Sequence, residues 1–242
     1  GAGNVAIGYA SLLTNQTGNY NIAIGYDALQ QNTGSYNVAA GHDALKQNAA
    51  GAYNIAVGAN ALDANTSGDY NVAVGHQALT SNTTTNSNTA VGYYALRVNT
   101  GAQNVAVGTN AGLSITTGNQ NIAIGNAALD ACTTGSENTA VGEQALTTNV
   151  GGGQNTAVGR MASQLCTGSN NTSMGREAGR DGSTGNYNTL IGRSAAEQIT
   201  TGSNNTCLGA NSGRYSDPFA LTSQDNRVVI GDGSVTNAYI TV

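Results

Sequence analysis

The sequence is poor in the residues that usually build and solubilise a globular domain. It contains no tryptophan, one phenylalanine and one proline, and only 9% of its 242 residues are charged. Globular domains have about 25% charged residues, so Asn, Thr, Ser and Gln must supply the polarity of this surface. The formal net charge is −5. That charge gives no general attraction to nucleic acid, and we expect no nucleic-acid partner.

The sequence also lacks an apolar run of the ~18 residues that a membrane-spanning helix needs, so we expect no membrane insertion. The three cysteines, Cys132, Cys166 and Cys207, have no C-x-x-C or metal-ligand spacing. We interpret them as small buried apolar residues. The chain has no initiating Met and no signal-peptide pattern. We expect both ends to be internal to a longer protein.

One short phrase occurs fourteen times: an Asn, a short run of mostly small or β-branched residues, and a Gly. Twelve of the thirteen steps between the asparagines are 16 or 17 residues, and only the last is longer, at 21. A fixed period of this kind indicates stacked units that bury their faces against their neighbours. The asparagines are Asn4, Asn21, Asn37, Asn54, Asn71, Asn88, Asn104, Asn121, Asn138, Asn155, Asn171, Asn188, Asn205 and Asn226.

Each unit begins with a strand signature. In the segment 21–25 large and small residues alternate, with Ile22 and Ile24 on one face and Ala23 on the other. A Thr-Gly turn closes most units. With two Gly corners in about 17 residues there is no room for a helix. The pattern predicts an all-β parallel β-solenoid or β-roll of about 14 coils of 16–17 residues, with two short extended segments per coil.

An Ala-Leu pair follows the strand in seven of the fourteen units and predicts an apolar column of leucines. A second Asn lies three residues after that Leu position, and Ile115 or Cys132 replaces it in some coils. Such replacements favour an inward site, where Asn side chains form a hydrogen-bonded ladder. The alternative is a turn Asn in the left-handed region. The predicted ladder is Asn15, Asn32, Asn48, Asn65, Asn82, Asn99 and Asn149.

A coil this thin is expected to need partners. We assign the two Val/Ile side chains and the Leu of each coil to its core. Three aliphatic side chains are too few to offset the entropy of ordering about 17 residues. The small strand face, which includes Ala106, would let another backbone approach closely. We therefore expect three chains to associate through that face, and we expect Ala106→Glu to prevent assembly.

The repeats resemble two known families. The segment 5–8, Val-Ala-Ile-Gly, is similar to the head repeats of YadA-like trimeric autotransporter adhesins, which form a left-handed parallel β-roll and a homotrimer. The segment 138–149 is closer to the repeats of bacteriophage tail fibres and tailspikes, upstream of an intramolecular chaperone. The resemblance covers essentially the whole chain. It implies a left-handed homotrimer, located in the virion or, for an adhesin, on the bacterial cell surface.

The C-terminal segment departs from the repeat. Residues 215–221 contain the only Pro and the only Phe and form an insertion before the last coil. We divide the chain into a β-roll array, residues 1–209, and a segment at 210–242 that contains the insertion, the final coil and a transition to whatever follows.

The residues form no recognisable catalytic constellation, and we expect neither an enzyme nor a cofactor. His42 and His76 occupy equivalent positions two coils apart, about 9–10 Å, which is too far for a shared metal ion. The candidate binding residues lie in surface columns instead. Stacked tyrosines could hold a sugar or a protein receptor, or could pack between chains. An arginine strip could meet an acidic polysaccharide, or could be a solvated edge. These residues are Tyr20, Tyr36, Tyr53, Tyr70, Arg160, Arg176 and Arg193.

Three functions remain open. The first is a structural segment of a homotrimeric phage tail fibre that contacts a glycan or protein of the host surface. The second is the head of a trimeric bacterial adhesin. The third is an ice-binding solenoid, suggested by an aligned threonine column that could equally reflect Thr in place of Val in a strand. That column is Thr139, Thr156, Thr172, Thr189 and Thr206.

Overall fold

The computed structural model describes residues 1–214 and 220–235. These residues form an all-β parallel β-solenoid, and the predicted coil architecture is confirmed. Each coil contributes one strand to a single 14-stranded parallel sheet whose strands follow one another in chain order. No helix occurs among the described residues. The strands, β1 to β14, are Val5–Ile7, Ile22–Ile24, Val38–Ala40, Ile55–Val57, Val72–Val74, Thr89–Val91, Val105–Val107, Ile122–Ile124, Thr139–Val141, Thr156–Val158, Thr172–Met174, Thr189–Ile191, Thr206–Leu208 and Val228–Ile230.

Equivalent residues of successive coils lie directly beside one another. Ala6 pairs with Ala23 in the parallel ladder, and this register is kept along the rod. Backbone bonds between coils continue beyond the strands, as where the Leu29 amide donates to the Ala44 carbonyl at 3.0 Å. The predicted second extended segment is not a strand, because residues such as Asp27 and Leu29 turn the chain with φ values of 55° and 52°.

The sheet has the opposite sidedness to the one predicted. Ala23 is fully buried inside the coil, whereas Ile22 and Ile24 point outward with 39% and 43% of their surface exposed. The assignment of Val and Ile to the core was therefore wrong, and so was the choice of the alanine face as an association surface. In the coils that carry a column leucine, the strand lies so close to the opposite wall that the inward position holds only the methyl group of an alanine.

The interior is a column of leucines lying against the strand alanines. The column is interrupted at Gly112, where Ile115 takes over the space: a Cβ on Gly112 would lie 3.0 Å from Cδ1 of Ile115. The leucine column ends at Leu146. Two coils further on, a large and a small residue again change places. Leu190 stands where other strands have alanine, and its side chain reaches the position that a Cβ of Gly179 would occupy. The leucines are Leu12, Leu29, Leu45, Leu62, Leu79, Leu96, Leu129 and Leu146.

The Gly that follows each strand is required at a corner. Gly75 has a φ of 136°, and a Cβ there would lie 2.3 Å from the carbonyl oxygen of Gly92 in the next coil. Both the backbone conformation and the spacing between coils therefore exclude a side chain. The same contact with the following coil recurs from Gly8 to Gly192 and explains the Gly in those repeats.

The sheet continues into the C-terminal segment. The last strand, Val228–Ile230, pairs in register with Thr206–Leu208. Residues 215–219 of the predicted insertion and residues 236–242 of the predicted transition lie outside the described residues.

Candidate functional site

The outward face of the sheet runs along all fourteen strands. We define it as the first and third residues of each strand. In the first half of the chain these residues are mainly Val and Ile, and many are well exposed, among them Ile7 at 58% and Ile124 at 38%. An apolar face that continues over this many strands exceeds the scattered exposure normal for a soluble protein.

The threonines of the later strands lie on this same face. Thr156 pairs with Thr139 on one side and with Thr172 on the other. Each threonine is half-buried. Two residues further along the strand, on the same outward face, lies a larger apolar residue such as Val158 or Met174. The outward face thus changes along the rod from Ile/Val rows to Thr/apolar rows.

In four consecutive coils, stacked tyrosines lie next to the start of the strand. We call the residue immediately before each repeat Asn the leading column. Ring centroids in this column are 5.2 Å apart for Tyr20 and Tyr36, 4.9 Å for Tyr36 and Tyr53, and 5.1 Å for Tyr53 and Tyr70. Interplanar angles of 19°, 5° and 7° make these stacks nearly parallel. Neighbouring rings cover each other's faces, so the stack presents mainly ring edges and hydroxyl groups.

A second aromatic column borders the face on its other side and was not predicted from the sequence. We call the residue immediately after each repeat Gly the trailing column. Tyr9 stacks on Tyr26 at 5.1 Å, and Tyr26 stacks on His42 at 5.2 Å. Further along, His76 stacks on Tyr93 at 5.6 Å. The signal was the shared repeat position of these residues, which a search for one residue type does not reveal.

The arginines occupy the later coils of the trailing column. Arg160 pairs with Glu143 at 3.3 Å and with Glu177 at 3.7 Å. Arg176 pairs with the same Glu177 at 3.5 Å. The predicted basic strip is therefore partly neutralised by carboxylates, which weakens its attraction for an acidic polysaccharide. Arg193 continues the column in the next coil.

The structure brings part of the predicted asparagine ladder together. Asn48 donates to Oδ1 of Asn32 at 2.7 Å, Asn65 donates to Asn48 at 2.7 Å, and Asn82 donates to Asn65 at 3.2 Å. Two other members bond locally: Asn15 donates to the Gly18 carbonyl and Asn99 to the Gly101 carbonyl.

Asn149 is a different case. It is fully buried, and neither of its side-chain amide atoms has a hydrogen-bond partner among the described residues. Its neighbours in the column are Cys132 and Cys166, whose thiols are only weak hydrogen-bond donors and acceptors. Burial raises the pKa of the Cys132 thiol to about 11.

A second ladder, formed by the repeat asparagines themselves, was not predicted. The backbone amide of Asn37 donates to Oδ1 of Asn21 at 2.9 Å, and the Asn37 side chain donates to the Gly51 carbonyl at 2.9 Å. Nearly every coil repeats this arrangement. The side-chain oxygen accepts from one coil and the side-chain amide donates to another, which explains the Asn at this position in the first thirteen coils. In the last coil Arg227 takes the position, and its backbone amide donates to Oδ1 of Asn205 at 2.9 Å.

Charged groups elsewhere form small structural clusters. Lys46 bridges Asp27 at 2.9 Å and Asp43 at 3.0 Å, and these hydrogen bonds raise the pKa of its ammonium group. Buried Glu197 lies between Arg180 at 2.6 Å and Arg214 at 2.7 Å, so three successive coils share one carboxylate.

Within residues 1–214 and 220–235, no group of three or more His, Cys, Asp or Glu side chains could hold a metal ion. The same residues contain no helix that could cross a membrane. Comparison of the chain with known protein families and with curated proteins gives no match.

Proposed function

We propose that this chain is a structural segment of a left-handed homotrimeric fibre, as in a phage tail, whose three rods pack together through their outward faces. The observation that carries the proposal is the continuous exposure of Val and Ile on successive strands. The proposed partners are two further copies of the chain and, on the surface left free, a glycan or protein of the host cell. The handedness is proposed from the resemblance to adhesin heads and tail-fibre repeats.

The size of the face supports self-association. Fourteen strands at about 4.8 Å make a face roughly 65 Å long and about 10 Å wide, or about 650 Å². A standard two-protein interface buries about 800 Å² per partner. The face and its two bordering aromatic columns together supply about that area, which each chain of a trimer divides between two neighbours. Charged side chains are absent from the first and third positions of the described strands, as the core of an interface requires.

The same geometry suits the head of a trimeric bacterial adhesin. The two readings differ in the domain that follows: an intramolecular chaperone favours the phage fibre, and a coiled-coil stalk favours the adhesin. Sequencing the rest of the gene separates them.

The experiment that tests the proposal is the molar mass in solution, measured by light scattering after size exclusion. We expect three times 24.2 kDa. Replacing Val107 and Ile124 together by Glu puts charge on the outward face and should give a folded single chain. Thr84→Glu, on an exposed turn, should leave the trimer intact. A wild-type mass of one chain would contradict the proposal.

Ala106→Glu is the matched control that tests which face of the sheet forms the interface. Its side chain is fully buried inside the coil, next to outward Val107. We expect this variant to lose the fold, because an unpaired carboxylate is placed in an apolar interior. A folded Ala106→Glu monomer would instead restore the alanine face as the interface.

Ice binding is a second candidate, favoured by the in-register threonines on the outward face. It requires that face to be free in solution. It becomes the leading function only if the wild-type chain is a monomer that slows ice growth and Thr172→Tyr abolishes the effect.

A further inference from the structure

The leading and trailing columns carry matching side chains in the same coils. Four coils with a tyrosine in the leading column have an aromatic ring or an arginine in the trailing column. These pairs are Tyr20 with Tyr26, Tyr36 with His42, Tyr70 with His76, and Tyr187 with Arg193. The coil with Tyr53 is the exception, since Ala59 takes the trailing position.

The members of a pair cannot touch within one chain. Tyr36 and His42 are six residues apart on either side of a strand, which corresponds to roughly 20 Å of extended chain. Both are well exposed, Tyr36 at 48% and the His42 side chain at 59%. Nδ1 of His42 lies 3.2 Å from Oδ2 of Asp43, so the Tyr36 hydroxyl and the second imidazole nitrogen of His42 remain available to a partner outside the chain or to water.

The stacks themselves argue for a protein partner rather than a sugar. A sugar ring packs on the face of an aromatic side chain, and in these columns the faces are covered at spacings of 4.9–5.2 Å. Ring edges and hydroxyl groups remain available. These suit a polar rim around an apolar interface, where a tyrosine hydroxyl can bond an imidazole, a guanidinium or another hydroxyl.

Symmetry decides which columns meet. If two rods lie parallel, face to face around an axis along their length, the leading column of one meets the trailing column of the other at the same coil. If they lie antiparallel, leading meets leading in reversed order, which would bring the coil of Tyr36 to that of Tyr187 and place His42 beside Arg193. Antiparallel packing would also lay the Ile/Val rows on the Thr rows. The parallel arrangement lays apolar rows on apolar rows and sets the four tyrosines opposite Tyr26, His42, His76 and Arg193, while it also brings Glu137 opposite Glu143.

We infer that copies of this chain pack parallel and in register, with the leading column of one chain against the trailing column of the next. Tyr36 then contacts His42 of the neighbouring copy, Tyr70 contacts its His76, and Tyr187 contacts its Arg193. The apolar outward faces form the centre, and the two columns close the rim. This inference rests on the proposed self-association and adds to it the orientation, the register and the contacting residues.

Cysteine pairs in the full chain test the inference. Tyr36→Cys/His42→Cys is the experimental variant, and Tyr70→Cys/His76→Cys is an independent second pair. The controls are each single variant, the wild type with its buried Cys132, Cys166 and Cys207, and Tyr36→Cys/Tyr187→Cys. Each protein is oxidised mildly or treated with a short bismaleimide, then run on a denaturing gel.

We expect the two experimental pairs to give covalent dimers and trimers in the majority of chains, and all controls to stay single. Because the paired positions are too far apart within one chain for a disulfide, any link joins two chains. A trimer by light scattering with no links in either pair overturns the inference and leaves the proposed function standing. Links in Tyr36→Cys/Tyr187→Cys would show antiparallel packing. A single-chain mass removes both the inference and the proposed function.

Discussion

The side-chain amide of Asn65 donates to Oδ1 of Asn48 at 2.7 Å and to the Gly68 carbonyl at 3.0 Å. One buried side chain thus joins two coils and closes its own turn. Elsewhere the same position holds Ile115, but only where the leucine of that coil is replaced by Gly112. The ladder and the leucine column are therefore coupled through the volume they share.

This coupling predicts a rescue. Asn65→Ile alone should destabilise the chain by about 1–3 kcal/mol, since the larger side chain overpacks against Leu62 and leaves Asn48 and Asn82 without their ladder partner. Adding Leu62→Gly reproduces the arrangement at Gly112 and Ile115 and should recover part of the loss. Urea unfolding of the wild type, both single variants and the double variant measures the coupling. Additive losses would show that the two columns are independent.

Asn149 offers a stabilising substitution. Its amide has no hydrogen-bond partner in the described part of the chain, and a buried polar group without a partner costs about 1–3 kcal/mol. Asn149→Cys copies the residue found at this position in both neighbouring coils. Under reducing conditions we expect the midpoint of urea unfolding to rise. Asn65→Cys is the contrast and should lower it, because Asn65 has its partners. A lower midpoint for Asn149→Cys would mean that its amide is satisfied.

The glycine corner should tolerate no side chain. In Gly75→Ala the added Cβ meets the carbonyl oxygen of Gly92 at 2.3 Å, at a φ of 136°. We expect a loss of stability of at least about 3 kcal/mol, from strain and separation of the coils. Gly151→Ala is the control, because its Cβ would lie 3.4 Å from Oγ1 of Thr134, an ordinary contact. Equal effects in the two variants would remove the steric argument.

The stability of the rod should depend on Asp63 in a pH-dependent way. Burial raises the pKa of this carboxyl above its usual value of 3.8, although a hydrogen bond from Asn60 opposes the shift. The folded state therefore holds the proton more tightly than the unfolded state. Its stabilising contribution is full below pH 3.8 and is lost as pH rises through the folded-state pKa.

It follows that Asp63→Asn should raise the melting temperature at pH 7 by roughly 1–3 °C and leave it unchanged at pH 3. Calorimetry at both pH values measures the difference. Asp130 lies four coils further along in the same column, and burial also raises the pKa of its carboxyl. Asp130→Asn should behave in the same way, and a stabilisation independent of pH in either variant would show that packing, not ionisation, is responsible.

The sequence determined the repeat geometry. Asn and Gly at a fixed spacing define the corners, since Asn37 and Gly75 hold contacts that other residues cannot make. From that spacing follow one coil per repeat, the parallel in-register sheet and the position of the leucine column. Residues at one repeat position must lie in one column, so the tyrosine stack and the meeting of Asn32 with Asn48 could be predicted.

Only the tertiary structure decided which side of the sheet is inside. Alternation in a strand separates Ile22 and Ile24 from Ala23 but does not say which set faces the core. That depends on how closely the Leu29 turn folds back, and the left-handed backbone at Asp27 and Leu29 brings it near enough to leave space for a methyl group alone. The apolar side chains were therefore predicted in the interior, yet they form the outer surface. Their exposure is what makes association the central question about this protein.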